Sequence, residues 1–383
     1  MDNSLENFSF SLKPLTSIND ITSKDWDRLN PSGHPFVSHG FLAALEESKC
    51  VGIDTGWDIF HLCVYDENKV LRAAMPHYFK YHSYGEYIFD HGWANAYERA
   101  GGKYYPKSLA AVPFTPVPGP RLLSLDDDIK AKQALLFSMK SIIENNNLSS
   151  AHVNFINSSD VTVAKKNGWM IREGLQFHWH NQGYNNFDDF LDKLTSRKRK
   201  NIRKERESIS KANLKFVHLT GDDIKTKHWD IFYECYIATI EKKWGGAYLN
   251  RLFFHHLPIN LKNKVLLILC YENNVPIAGA LNFIGSDALY GRNWGGLRNI
   301  PFLHFETCYY QAIDFAIKNG IRRVEAGAQG LHKVPRGYLP EKTYSAHKIN
   351  DPQFGDAVMK FLRQEIIQNN QETMYINKTS PYK

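Results

Sequence analysis

No run in this 383-residue chain approaches the ~18 apolar residues that a membrane-spanning helix needs. The opening stretch MDNSLENFSFSLKPL has neither a basic leader nor an apolar core, so no secretory signal is expected and the expected setting is cytoplasmic. Cysteine is sparse. Cys50, Cys63, Cys235, Cys270 and Cys308 are odd in number, scattered, and in no CxxC or Cys/His spacing, which argues against disulfides and a structural zinc. The motifs GxSxG, HExxH, the phosphate-loop lysine and the dinucleotide fingerprint are missing, which sets aside hydrolases, zinc proteases, kinases and dehydrogenases.

What is present points to two domains, because 383 residues exceed what one hydrophobic core usually serves. Strand and helix signals alternate through both halves, which predicts a mixed α/β fold divided into 1–184 and 185–383. In the first half, Ser38 reads as a helix N-cap, and HLCVY with VLRAAMPHYFK as a hairpin. Residues 84–123 read as one long loop ended by Pro113, Pro116, Pro118 and Pro120. The second half opens on a single predicted helix, FDDFLDKLTSRKRKNIRKERESISKA, and closes on a helix after Asp351 with a frayed polar end.

Charge is concentrated in one place. Between Lys193 and Lys211 nine Lys or Arg face two Glu, a net +7 that equals that of the whole chain. Arg197, Arg199, Lys200 and Arg203 in this run are candidates for gripping a phosphate-bearing ligand; a solvated helix is the plain alternative.

The stretch 277–348 carries most of the polar chemistry. Strand alternation in ALYGRNWGG places Tyr290, Arg292 and Trp294 on one face, and Gly291, Gly295 and Gly296 leave its backbone open to close approach. PFLHFETCYY begins a helix with Pro301 in its first turn and a buried stripe that includes Phe302, Phe305 and Tyr309; His304 and Glu306 flank it. Glu325, inside the short strand RVEAGA, needs a partner there, with Arg292 and Lys333 as candidates, or serves as a general base. The following loop crowds Gln329, His332, Lys333, Arg336 and Tyr338 together, where α/β proteins tend to hold ligands. His332 is the alternative base. Lys333 and Arg336 are candidates for an acidic substrate or a developing oxyanion. In the first half, Asp90 and Trp93 are candidates for substrate contact; the Asp90–His91 pair has no third ligand at metal spacing, so no metal is expected.

Several segments together resemble the FemAB-like N-acyltransferases, often labelled as peptidoglycan biosynthesis or recognition proteins. They are HPFVSHGFLAALEES, TGW, HSYGEYIFDHGWANAYERAG, YYPK and VPFTPVPGPRLL in the first half, then SRKRKNIRKER, IAGALN, LYGRNWG, PFLHFETCYYQAIDFA and RVEAGAQGLHKVPRGYLP. The resemblance runs in order from about Pro31 to about Lys360. It implies tandem GNAT-like domains, the second holding the active groove, and direct transfer of an acyl or aminoacyl group to an amine. Acyl-CoA or aminoacyl-tRNA is then a co-substrate, with no tightly bound cofactor; a small molecule or peptidoglycan precursor is the acceptor, and tRNA a candidate partner. The Q/R-x-x-G-x-G/A turn on which GNAT enzymes bind the coenzyme A pyrophosphate is missing; GRNWGG is the nearest stretch. The other reading still open is an idle GNAT pair that recognises a cell-wall fragment or RNA.

Overall fold

The computed structural model describes residues 10–242, 245–328 and 330–383. The chain forms two compact units. One takes the residues up to Gly174 and Lys342–Asn370; the other takes Leu175–Glu341 and Gln371–Lys383.

In the first unit, β1 (Phe10–Leu15), β3 (His61–Asp66), β4 (Leu71–Met75) and β7 (Leu123–Ser124) form an antiparallel sheet in the order β1-β3-β4-β7. A second set runs β8-β6-β5-β2, from β2 (Trp57–Ile59), β5 (His77–Lys80), β6 (Lys107–Ala110) and β8 (Ser150–Ile156). Helix α4 (Ile129–Asn145) lays Leu135, Leu136, Met139 and Ile143 against Leu62, Val64 and Val153, the spacing of a helical stripe on a sheet. Helix α2 (His39–Glu47) starts where expected, with the Ser38 hydroxyl accepting from the Phe41 N–H at 3.3 Å.

The long-loop expectation for 84–123 fails in two places. Helix α3 (His91–Arg99) forms inside it, and β6 follows in parallel pairing with β8. Flanking glycines and prolines masked both elements. Burial of Trp93 and Ala94, and of the whole β6 strand, overrides that local punctuation.

The second unit holds strands in the order β10-β11-β12-β13-β14-β9: β9 (Met170–His180, which enters from the first unit), β10 (Leu214–Thr220), β11 (Val265–Glu272), β12 (Val275–Ile284), β13 (Ala288–Gly296) and β14 (Arg323–Glu325). All neighbours are antiparallel except β13 and β14. Phe177 and Trp179 of β9, Ile268 of β11, Leu289 of β13 and Val324 of β14 pack on Tyr309, Ile313 and Ala316 of one helical stretch. Helix α8 (Thr226–Glu241) crosses β13 so closely that a Cβ on Gly295 would fall 2.1 Å from the Cys235 backbone. The close approach expected at this glycine is therefore made by a helix.

The predicted single helix from Phe187 is two. Helix α6 (Phe187–Lys193) and helix α7 (Ser196–Lys211) are separated by extended backbone at Leu194 and Thr195. The chain end causes the break: the Thr195 N–H donates to the Pro381 carbonyl at 2.8 Å, and the Lys383 N–H to the Lys193 carbonyl at 3.0 Å. The tail beyond helix α12 (Pro352–Lys378) is thus pinned at residues 381–383, where a frayed end was expected.

Candidate active site

Strands β13 and β14 pair over only three positions, Ala288–Tyr290 with Arg323–Glu325. Beyond them β13 continues beside β12, while the other chain turns away through Ala326 and Gly327, whose φ of 80° suits glycine. The gap between the parted strands is a cleft of about 410 Å³, part of it open to solvent. Its wall is built from Asn282 on β12, Arg292 and Trp294 on β13, His304, Cys308 and Tyr309 from the helical stretch, and Gly327.

Local irregularities aim these side chains. Leu281 pairs with Asn293 but Asn282 with Gly291, so Arg292 is an extra residue in a β-bulge. The bulge interrupts the alternation expected for Tyr290, Arg292 and Trp294. Arg292 and Trp294 reach the cleft; Tyr290 is 2% exposed and lies off its wall, near Glu325 and Arg323. The helix beside the cleft also departs from expectation. Phe302 sits outside it with a left-handed φ of 66°, and helix α10 (Leu303–Phe305) passes through a π turn, Glu306–Tyr310, into α11 (Gln311–Lys318). A π turn carries one residue more than an α turn, and consecutive Cys308 and Tyr309 both line the cleft.

The polar loop forms a 3-10 turn over Leu331–Arg336. Lys333 is buried, with Nζ donating to the Gly327 carbonyl at 2.9 Å; among the described residues it meets no carboxylate. Burial brings its amine down to about 8. His332 is exposed, with Nε2 at 2.8 Å from the Tyr309 hydroxyl and its ring parallel to Phe305. Partial burial, then Lys333 and Arg336, hold its imidazole below the ordinary histidine value. Arg336 is forked onto Glu205 of α7 at 2.7 and 3.2 Å and lies 3.5 Å over the Phe305 ring. Tyr338 is buried against Tyr309, ring centroids 5.5 Å apart. Gln329 lies outside the described residues.

Glu325 is buried, and its partner is neither Arg292 nor Lys333: Oε1 accepts from the Arg323 Nε at 2.9 Å, while Oε2 lies 3.7 Å from His178 Nε2. Its carboxylate is not on the cleft wall. Glu306 points away from the wall, accepting from Arg206 at 3.0 Å and Gln311 at 2.8 Å, with burial raising its carboxyl. In the first unit, Asp90 is buried beside Lys107 and accepts from the Tyr104 hydroxyl at 2.9 Å. Burial would raise its carboxyl, but the Lys107 ammonium brings it well below the usual range. Trp93 packs on His347, and the Arg172 guanidinium lies 5.2 Å over its ring. Both serve their own unit's interior.

Of the basic run, Arg199 pairs with Asp192 at 2.9 Å and Arg203 with Asp188 at 3.1 Å. Arg197, Lys200 and Lys204 are exposed and form no ion pair among the described residues. At positions i, i+3 and i+7 they share one helix stripe about 10 Å long.

Sequence reasoning missed Tyr309, Cys308 and Asn282 as cleft residues. Asn282 left a trace, a polar residue within the apolar strand IAGALNFI. Tyr309 read as helix core and Cys308 only as one of five scattered thiols, because the π turn has no sequence mark.

A family model described as FemAB-like, peptidoglycan biosynthesis/recognition, matches residues 17–383. The chain belongs to the FemAB-like family. Solved structures share the fold of this chain, a mixed α/β fold with sheets flanked by helices. FemX aligns at a TM-score of 0.55 with 13% identity, covering 88% of this chain and 98% of that one. L-PGS from Bacillus licheniformis aligns at 0.52 with 10% identity, over 85% and 95%. A conserved protein from Bacteroides thetaiotaomicron aligns at 0.50 with 11% identity, over 88% and 100%. No curated protein matches the FemAB-like chain in sequence. Among the described residues, no helix is long and apolar enough to cross a membrane.

Proposed function

We propose that this FemAB-like chain is a cytoplasmic N-acyltransferase that joins an activated acyl or aminoacyl group to an amine by direct attack. The observation that carries the reading is the cleft at the parted β13 and β14, with the Lys333 amine hydrogen-bonded to its Gly327 edge. A carbonyl under attack develops negative charge on its oxygen, and a buried cation beside the cleft stabilises that charge more than water would. The Lys333 amine at about 8 remains mostly protonated at neutral pH and fits that role. Direct attack is supported by the thiols: burial pushes the Cys308 thiol on the cleft wall far up, and Cys63, Cys235 and Cys270 to about 12. A protonated thiol is a poor nucleophile, so an acyl-cysteine intermediate is disfavoured.

The Arg197, Lys200 and Lys204 stripe favours a polyanionic donor, aminoacyl-tRNA, over acyl-CoA. The family description favours a peptidoglycan precursor as the amine. A thermal-shift screen against CoA, acyl-CoAs and bulk aminoacyl-tRNA at two salt concentrations tests the donor. Stabilisation by tRNA alone, lost at moderate salt, supports the reading; a salt-insensitive shift with CoA replaces the donor. With the active donor, Lys333→Ala is expected to lower transfer about 100-fold or more. Full activity of the folded variant would remove Lys333 from the mechanism.

A further inference from the structure

Acyl transfer to an amine has one obligatory traffic problem: a proton must leave the nitrogen as the new bond forms. The carboxylate that sequence singled out, Glu325, is held by Arg323 away from the cleft wall. A different pair connects the cleft to water. Tyr309 lines the cleft, and its hydroxyl lies 2.8 Å from Nε2 of His332, which is exposed. We propose that Tyr309 and His332 form a proton relay that carries the acceptor amine's proton out of the cleft to solvent. The proposal rests on the transferase reading of this cleft.

Three features fix the pair. The π turn directs Tyr309 into the cleft beside Cys308. Phe305 stacks near both rings, its centroid 5.9 Å from that of His332 and 6.0 Å from that of Tyr309. Gly330, at φ 125°, leaves room for the imidazole: a Cβ there would fall 2.4 Å from His332 Cε1, so only glycine permits this placement.

The electrostatic surroundings suit transit. Lys333 and Arg336 flank the imidazole from its own turn, Tyr309 reaches it from the π turn, and the His304 ring lies 6.3 Å away. Glu205 of α7 pairs with Arg336. The cations keep the imidazole neutral and able to accept a proton, and they disfavour its keeping one. Burial keeps the Tyr309 phenol protonated, so it passes a proton and does not act as a phenolate.

The amine nitrogen attacks the donor carbonyl carbon, the N–C bond forms, and the C–S or C–O bond to the donor breaks with its electron pair on the leaving group. The amine proton moves to the Tyr309 oxygen while the Tyr309 proton moves to His332 Nε2. His332 then releases its Nδ1 proton to water, and the leaving group is protonated from solvent. The relay requires the Nδ1–H tautomer of His332.

The test has two arms on full-length protein. Histidine ¹⁵N NMR is expected to show His332 as the Nδ1–H tautomer, titrating below the ordinary ~6.5. Tyr309→Phe removes the donor that stabilises the neutral ring, and is expected to move that titration upward. The second arm measures transfer from acetyl-CoA and from bulk aminoacyl-tRNA to a lysine-bearing peptide across pH. The wild-type rate should rise with pH through the His332 titration and level off. Tyr309→Phe and His332→Gln should each be about 100-fold slower at pH 7 and lack that inflection, and the double variant no slower than either. Tyr309→Phe at the wild-type rate with an unchanged pH profile would overturn the relay. So would an Nε2–H tautomer whose titration ignores the substitution. No transfer from either donor would overturn the transferase reading, and the relay's role with it, even with the rings coupled in the NMR arm.

Discussion

Lys333 shows how burial turns a surface-type residue into a chemical one. Its amine is held down to about 8, against the ~10.4 of an unfolded lysine. Between those values the unfolded chain binds a proton that the folded chain lacks. Stability from this group therefore rises with pH through that window, and below it the buried charge is a constant cost. Lys333→Met is expected to raise stability at pH 7 by roughly 1–3 kcal/mol, seen as a higher Tm, while transfer is lost. A lower Tm would mean that the Gly327 hydrogen bond outweighs the cost of burial. The lysine was legible as a candidate from its crowded polar loop. Its isolation from any carboxylate among the described residues was not, because Glu325 finds its partner two residues back, at Arg323.

At the scale of elements, α7 separates cations that hold the fold from cations that face water. Arg206 binds Glu306 at 3.0 Å and Asp314 at 2.7 Å, and its guanidinium lies 4.3 Å over Phe187. Burial pushes both carboxyls up, so each depends on this arginine to remain charged. Arg206→Ala is expected to cost about 2–4 kcal/mol, read as a lower urea midpoint. Lys200→Glu should stay within about 0.5 kcal/mol yet weaken tRNA binding. Ile202 and Ile209 are the buried residues of this helix. Its start was hidden because residues 381–383, almost two hundred positions away, make the break at Leu194–Thr195.

Over the whole molecule, acid sensitivity should come from the first unit. His77 and His152 are fully buried, and burial holds both imidazoles near 3. His347, which shares a 2.7 Å Nδ1–Nδ1 contact with His152, is also held well below the usual value by burial. Because each folded value lies under the ~6.5 of an unfolded histidine, the unfolded chain binds more protons in between. The stability these groups give is complete above that value and is lost as pH falls toward 3. Tm is expected to drop steeply from pH 6.5 to pH 4, and His77→Gln with His152→Gln to flatten the slope. A Tm that holds to pH 4 in the wild type would mean that these rings are not buried as neutral groups.

What the sequence determined by itself was set by local chemistry: the alternation of strands and helices, the concentration of charge in one basic run, the Ser38 cap, the clustering of polar residues after RVEAGA, and, through many motifs in order, the family. Those signals sit within a few residues of one another, and helix and strand periods expose them directly. The tertiary structure decided everything that depends on distant partners. It made a helix of His91–Arg99 by burying Trp93, and it let Lys342–Asn370 join the first unit. It also placed Arg292 in a bulge and turned Tyr309 toward the cleft through a π turn. A bulge and a π turn each add one residue to a regular period, so a reading based on that period passes over them, and they are the irregularities that shape the cleft.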